Sequence, residues 1–459
     1  MSKRRHSESP EQSERPAKRV ETEAGLSASP EARQTTLAYP STKPSQPTRS
    51  VPFQQPTGLL TFSYTPRRVL EFDNSALRYH IDPPPGADLR YGYERWTKRP
   101  EERGRLDGLL KAVERVMQKA DTSMGPGSGK TWLRDIALVT WRGVMTKILT
   151  APYEDRDGCV LNAMFVNGTL YLEEHTTEAK LAEKENLAPR HRQLTYYGYS
   201  FEAWCTSSRP GVSERIPGHP IGWGGDVDTN VQWCSVIKTK LGDSRLVIGG
   251  EVDCVRERFD GKTDTFVELK TSMSIRGPED EARFEKKLLK FYMQSFLLGV
   301  PEIVVGFRTP AGRITTTQSF KTIQIPRLVR GKPNAWDPQI CLQWGQQFIA
   351  LLKTRLSEQP SPGNEHSEAC LPRVWRITFT PKDGVTMRTL DNEGIKDVQG
   401  GEDRVGFLPS WYYKEVVGTP TGNQETEPSP SESASANLKG GPATTNVSSQ
   451  HASHHGWAL

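Results

Sequence analysis

Two short segments set the strongest constraint on how this chain can fold. They are Gly250-Glu251-Val252-Asp253-Cys254 and, fourteen residues later, Glu268-Leu269-Lys270. In each, charged residues alternate with apolar ones, and residues i and i+2 of a strand share a face. Glu251 and Asp253 therefore project together, as do Glu268 and Lys270, while Val252, Val267 and Leu269 line the opposite face. A charged face backed by an apolar one demands a half-buried sheet. The intervening Phe259-Asp-Gly-Lys-Thr-Asp264 is turn-like, so strands at about 245–254 and 264–271 are expected to pair as a hairpin. That pairing would gather three carboxylates and an ammonium on one patch. Hard divalent cations take oxygen ligands. A lysine beside them can orient an attacking water or steady charge growing on a phosphoryl group. The plainer alternative is a solvated hairpin in which Lys270 only pairs with Glu268.

Around this core the elements are mixed. Leu106, Leu109, Leu110, Val113, Val116 and Met117 recur at helical spacing, predicting a helix over about 100–119. A second helix is expected over 132–149. A hairpin follows, with Asn167-Gly168 as its turn between Ala163-Met-Phe-Val and Thr169-Leu-Tyr-Leu. After the acidic strands the pattern predicts a helix at about 279–298 and a strand pair around Pro310-Ala-Gly-Arg. A helix at about 336–357 comes next, then strands near 373–379 and 407–413. No internal repeat is visible. The order predicts an α/β (α+β) fold, a single domain on a mixed, twisted sheet with flanking helices.

Composition matters mainly at the ends. Residues 1–57 and 418–459 are rich in Ser, Pro, Glu, Gln and Thr without periodicity. Both are expected to be disordered tails, leaving 58–417 as the folded domain. Hydrophobic residues are 35% of the whole chain, in keeping with two such tails. Lys3-Arg4-Arg5 and Pro16-Ala17-Lys18-Arg19-Val20 read as a nuclear-import signal on an accessible tail. The net charge of +5 divides into +3 on the first tail, −2 on the last and +4 between them. A nucleic-acid contact must therefore be a local groove and not a whole-surface field. No apolar run approaches the roughly 18 residues of a membrane helix. The start also lacks the apolar run of a secretory signal, so neither a membrane nor a secreted protein is expected. The six cysteines are scattered with no C-x-x-C pair, which predicts reduced thiols and no zinc cage. Gly125-Pro-Gly-Ser-Gly-Lys-Thr131 is a decoy. A phosphate-binding loop needs four residues where this one has three, and it must follow a strand rather than a helix.

Further motifs fall in a recognisable order. They are Trp141-Arg142-Gly143 with Thr146 through Tyr153, Gly198-Tyr-Ser-Phe-Glu202, and Cys234-Ser-Val-Ile. Gly250-Glu-Val-Asp253, Val267-Glu-Leu-Lys270, and Phe291 through Gln294 to Pro301 with Val304-Val-Gly-Phe-Arg308 complete the set. Together they resemble the DXO-type RNA decapping nucleases, a family whose fungal members partner the nuclear 5′→3′ exoribonuclease. The likeness spans roughly 60–415. The resemblance implies a PD-(D/E)XK-nuclease-like metal site and a hydrolase of RNA 5′ ends. Such enzymes release pyrophosphate from triphosphates, remove incomplete or NAD caps, and in some members degrade the RNA body.

By motif, Glu202, Asp253, Glu268 and the Leu269 carbonyl would hold Mg²⁺ or Mn²⁺, with Glu251 beside them through water or substrate. Lys270 and Gln294 would position the attacking water and the scissile phosphate. Arg142, between Trp141 and Gly143, would grip the 5′ phosphates, and Arg68 and Cys234 would line the substrate site. Arg308 reads as a structural ion-pair partner and is left outside the site. Gly104 departs from some relatives, which carry an acidic residue there, so the resemblance does not carry a cap-base contact over to its helix. RNA 5′ ends and the exoribonuclease are the implied partners, and the nucleus the implied location, with 5′-end quality control the implied role. Two other readings stay open: a mainly non-catalytic subunit that stabilises and activates the exoribonuclease, and a DNA nuclease on the same metal core.

Overall fold

A computed structural model describes residues 36–42, 50–358 and 373–418. The basic clusters of the first twenty residues, and the tail beyond Gly418, lie outside them. Among the described residues the strands form two main sheets, of nine and six strands, and a small two-stranded ribbon. The fold is mixed α/β, with helices packed against both sheets. The folded body begins before position 58: Val51 is buried, Phe53 bridges to Leu241, and Thr57 opens the strand Thr57–Tyr64. Leu37 also bridges to Val385 at the far edge of the large sheet.

The large sheet owes its centre to a segment the periodicity misassigned. The helix expected over 132–149 is three elements: a helix Ser128–Arg134, a strand Leu138–Trp141 and a helix Arg142–Thr150. Leu138, Val139 and Thr140 are paired in parallel on both sides, with Leu170–Leu172 and with Leu246–Ile248. An apolar strand buried on both faces carries no alternation, so its pattern passes for helix. The helix expected from about 100 begins at Asp107 and runs to Met124. Of the late strand expected at 407–413 only Leu408–Pro409 forms, paired with Arg404–Val405, and the rest is a helix, Ser410–Val417. There Tyr412 and Val416, four residues apart, are both buried, and this packing overrides the strand preference of Trp-Tyr-Tyr.

Other expectations hold. The hairpin Cys159–Val166 and Thr169–Glu174 turns on Asn167 and Gly168, both at positive φ (49° and 92°). The phosphate-loop decoy is a turn between two helices, and its Gly129 amide donates to Asp121 Oδ1 at 2.9 Å. The helix Pro278–Leu298 starts with proline, carries three acidic residues in its first turn and stops at Gly299, φ 72°, as the dipole and the left-handed cap require. Cys159, Cys205, Cys234, Cys254 and Cys341 are free thiols. No helix among the described residues is long and apolar enough to cross a membrane.

The expected acidic hairpin forms only in part. Ser244–Glu251 belongs to the large sheet, antiparallel to Gln232–Leu241. The chain then leaves that sheet through Val252 and Asp253 and enters the smaller one as Cys254–Val255. Only Cys254↔Val267 and Val255↔Phe266 pair with the strand Phe266–Met273. Glu251 and Asp253 thus stand where the chain crosses from one sheet to the other, with Glu268 and Lys270 on the strand they meet.

Candidate active site

Four elements deliver charge to this crossing. The strand Leu138–Trp141 runs straight into the helix that begins with Arg142, so this guanidinium emerges at the carboxyl end of the sheet's central strand. Its Nη1 donates to both Glu268 oxygens, at 3.0 and 3.2 Å, and its Nη2 to the Glu251 carbonyl at 3.2 Å. Lys270 Nζ donates to Glu268 Oε1 at 2.6 Å and to the Leu269 carbonyl at 3.2 Å, and lies 3.8 Å from Asp253 Oδ2. The Leu269 amide donates to the same Asp253 oxygen at 2.7 Å. Glu202 reaches the cluster from the helix Pro189–Trp204.

The charge balance is uneven. Glu268 is 1% exposed, and burial alone would raise its pKa. Arg142 and Lys270 outweigh burial and hold the carboxyl down, to about 2. Asp253 is pushed up to about 7, by burial first and then by the charge on Glu268. Glu202 is raised well above the usual carboxylate range by burial, then by Asp253 and Glu251. Glu251 is raised by burial despite Arg142. Two cations therefore secure one carboxylate and leave three others crowded, an arrangement that a further cation would relieve.

In kind, the donors suit a hard divalent ion: carboxylates and one backbone carbonyl. In placement, no three acidic, histidine or cysteine side chains among the described residues stand close enough to hold one. Glu268 is tied to Arg142 and Lys270, while the remaining carboxylates repel each other.

The remaining predicted residues are drawn to the same place by different routes. Cys234 lies opposite Glu251 on the ladder and is buried, which pushes its thiol pKa up. Trp141 pairs with Gly249, where a β-carbon would come within 2.8 Å of the indole, and its Nε1 donates to the Arg105 carbonyl at 2.8 Å. Gly143 is exposed, with open space where a side chain would project. Gln294 sits one turn before Leu298 on the helix Pro278–Leu298. A β-carbon on Gly250 would meet Leu298 Cδ1 at 2.8 Å and Arg142 Cβ at 2.9 Å, so this helix face abuts the acidic strand.

Arg68 connects through residues that sequence reasoning missed. Its Nη1 donates to Gln232 Oε1 at 2.6 Å, and Arg99 Nη1 shares that oxygen at 3.3 Å. Gln232 Nε2 donates to Glu251 Oε2 at 2.8 Å. The guanidinium of Arg68 lies 3.8 Å over the Tyr64 ring, on a backbone at φ 58°. Gln232 was findable, because it stands two residues before Cys234 on the same strand face.

Two mixed sheets meeting at a Glu-x-Asp crossing, opposite a Glu-x-Lys strand with an arginine clamp, define a PD-(D/E)XK-type nuclease. The chain belongs to the family described as RAI1 like PD-(D/E)XK nuclease, whose profile matches residues 54–413. The decapping nuclease RAI1 of Mycosarcoma maydis is 38% identical over 443 residues, covering 79% of this chain and 87% of the relative. The Homo sapiens decapping and exoribonuclease protein is 36% identical, covering 84% of this chain and 94% of its own. Among solved structures, S. pombe Rai1 in complex with 3′-FADP has TM-score 0.58 at 26% identity, covering 75% of this chain and 97% of its own. Scheffersomyces stipitis Rai1 has TM-score 0.65 at 25% identity, covering 80% and 100%.

Proposed function

We propose that this protein is a divalent-metal-dependent hydrolase of RNA 5′ ends, releasing pyrophosphate from triphosphorylated ends and removing incomplete or NAD caps. The observation that carries the reading is Glu268, fully buried yet kept ionised between Arg142 and Lys270 beside three crowded carboxylates. Family membership and the names of the relatives support the substrate class. The 3′-FADP bound to S. pombe Rai1 supports a dinucleotide-cap subsite.

In this reading Glu202, Asp253, Glu268 and the Leu269 carbonyl would hold Mg²⁺ or Mn²⁺, with Glu251 at its margin, the carboxylates drawing closer round the ion than they stand here. When bound, the metal supplies Lewis acidity toward the phosphoryl oxygens and a lowered pKa for attacking water. The chain's own residues do the rest. Lys270 Nζ, held on Glu268 and the Leu269 carbonyl, presents its remaining donor capacity to the attacking water and the scissile phosphate. Gln294 orients the same water from the helix face opposite. Arg142 keeps Glu268 ionised and offers its planar fork to the 5′ phosphates. Trp141 and Gly143 shape the approach, while Cys234 and the Arg68–Gln232 link wall the site behind Glu251. The buried strand ends exclude bulk water, which strengthens each of these contacts.

Incubation of the full-length protein with 5′-labelled triphosphorylated RNA and Mn²⁺ should release labelled pyrophosphate. Release should be lost with chelator and in Asp253→Ala. Silence on this substrate and on NAD-capped RNA would sink the reading. The nuclear 5′→3′ exoribonuclease as partner, nuclear location and 5′-end quality control extend the same proposal. Capture of that exoribonuclease by wild type and Asp253→Ala alike would separate binding from catalysis, and capture by neither would remove the partner. Loss of nuclear accumulation when Lys3, Arg4, Arg5, Lys18 and Arg19 become Ala would support the import signal, and unchanged accumulation would remove it.

A further inference from the structure

Lys287, Lys290, Gln294 and Leu298 recur at intervals of three, four and four on the helix Pro278–Leu298, so they share one face. The Leu298 end of that face abuts Gly250 and Arg142 at the catalytic crossing. Toward the other end the helix packs on the strand that carries Arg308, with the Phe284 and Phe307 ring centres 5.2 Å apart. This arginine closes the strand Glu302–Arg308, which runs parallel to the Glu268 and Lys270 strand, in register Lys270↔Val305 and Met273↔Arg308.

Arg308 is not the structural ion-pair partner its sequence context suggested. Its guanidinium lies 5.0 Å from the Tyr197 ring centre. Its Nη1 donates to Met273 Sδ and the Thr309 carbonyl, each at 3.2 Å. Its Nε is buried without a partner. Lys287 is exposed, yet burial of its surroundings and then the Arg308 charge lower its pKa. The contrast on the same helix is informative. Arg283 is paired with Asp280, and Lys286 with Asp155. Among the described residues Lys287, Lys290 and Arg308 make no ion pair. Three cations gathered without a counter-charge repel one another and so favour a bound polyanion.

We propose that Lys287, Lys290 and Arg308 form the track for the RNA body, seating the phosphodiester backbone of a single strand whose 5′ end lies at the carboxylates. The proposal rests on the function argued above and deepens it. Successive helical turns, about 5.4 Å apart, place a cation at each step leading away from Gln294. Single-stranded nucleic acid is held along a basic run that tracks its backbone. Lys290 and Lys287 stand one and about two turns beyond Gln294, so a short end group engages Lys290 at most. They therefore distinguish an RNA chain from a free dinucleotide.

The test measures anisotropy of a labelled single-stranded RNA of about ten nucleotides, without divalent metal, across a salt series. It uses the full-length wild type and Lys287→Gln/Lys290→Gln. Hydrolysis of a triphosphorylated dinucleotide is followed beside it. The double variant should bind RNA about tenfold more weakly, with a salt slope reduced by about two, while its dinucleotide turnover stays within about twofold. Arg308→Lys should keep most of the affinity that Arg308→Gln loses. Unchanged RNA affinity and slope would overturn the track, as would equal loss of dinucleotide turnover. An equal loss of binding to polyglutamate would also overturn it, pointing to an acidic protein partner instead. If wild type hydrolyses neither substrate but the variant still loses RNA, the catalytic reading fails and the track stands.

Discussion

Two buried glutamates in this molecule behave oppositely. Glu268 and Glu173 are 1% and 2% exposed, and burial pushes both toward the neutral acid. At Glu268 two cations, Arg142 and Lys270, overcome burial, and the carboxyl stays ionised with a pKa of about 2. At Glu173 burial prevails over Arg105 at 3.2 Å and the Asn162 amide at 3.0 Å, and the carboxyl is pushed up to about 7. One of its oxygens has no partner, nor does Arg105 Nε. One hydrogen-bonded cation does not keep Glu173 charged, whereas the two on Glu268 keep it so. The charge at Glu268 is thus a built feature, while Glu173 anchors Arg105, whose Nη2 donates to the Gln399 carbonyl at 3.4 Å.

The sharpest way to break this contrast is to remove the charge at each position in turn. Glu268→Gln should lower pyrophosphate release by about 10³-fold, the scale of losing a preorganised electrostatic group, with its far-UV spectrum retained. Turnover near wild type would dissolve the distinction. Arg142→Ala comes next, at about 10²-fold in kcat/KM. The loss should be larger for RNA with 5′ phosphates than for hydroxyl-ended RNA, and an equal loss on both would make Arg142 structural.

At Glu173 the expected effect lies on stability. A raised folded-state pKa means that the native protein binds more protons than the unfolded chain between about pH 4.5 and 7. Stability from this group is therefore present at low pH and is lost as pH rises through that window. Thermal unfolding across pH 5–8 should show wild type losing about 2 kcal/mol more than Glu173→Gln, with turnover nearly unaltered. Parallel curves would mean that Arg105 keeps Glu173 charged after all. The smallest effect should come from Gln232→Leu, which cuts the link from Arg68 to Glu251. A roughly tenfold rise in KM with kcat near wild type is expected, about the value of one hydrogen bond to charged groups, and a fall in kcat alone would argue against a positioning role.

The contrast also marks how far the sequence was legible. Alternation around Glu251, Asp253, Glu268 and Lys270 exposed the patch, because strand periodicity is local. It did not expose the sheet crossing at Val252–Asp253, which depends on partners more than a hundred residues away, such as Trp141 beside Gly249. Leu138–Trp141 was hidden for a related reason: a strand buried on both faces lacks the polar positions that reveal its period. Glu173 and Arg105 drew no notice, since a charge that becomes buried only through tertiary contact looks like any surface charge in the sequence. Arg308 was legible as a residue but not as a role, because the absence of an anionic partner appears only in three dimensions.

The most direct measurement is calorimetric titration of Mn²⁺ into the full-length protein and into Glu268→Gln and Glu173→Gln. The expected result is one binding event of similar affinity in wild type and Glu173→Gln, and its loss in Glu268→Gln. Equal binding by all three proteins would contradict the assignment of the ionised Glu268 as the carboxylate on which the metal site is built.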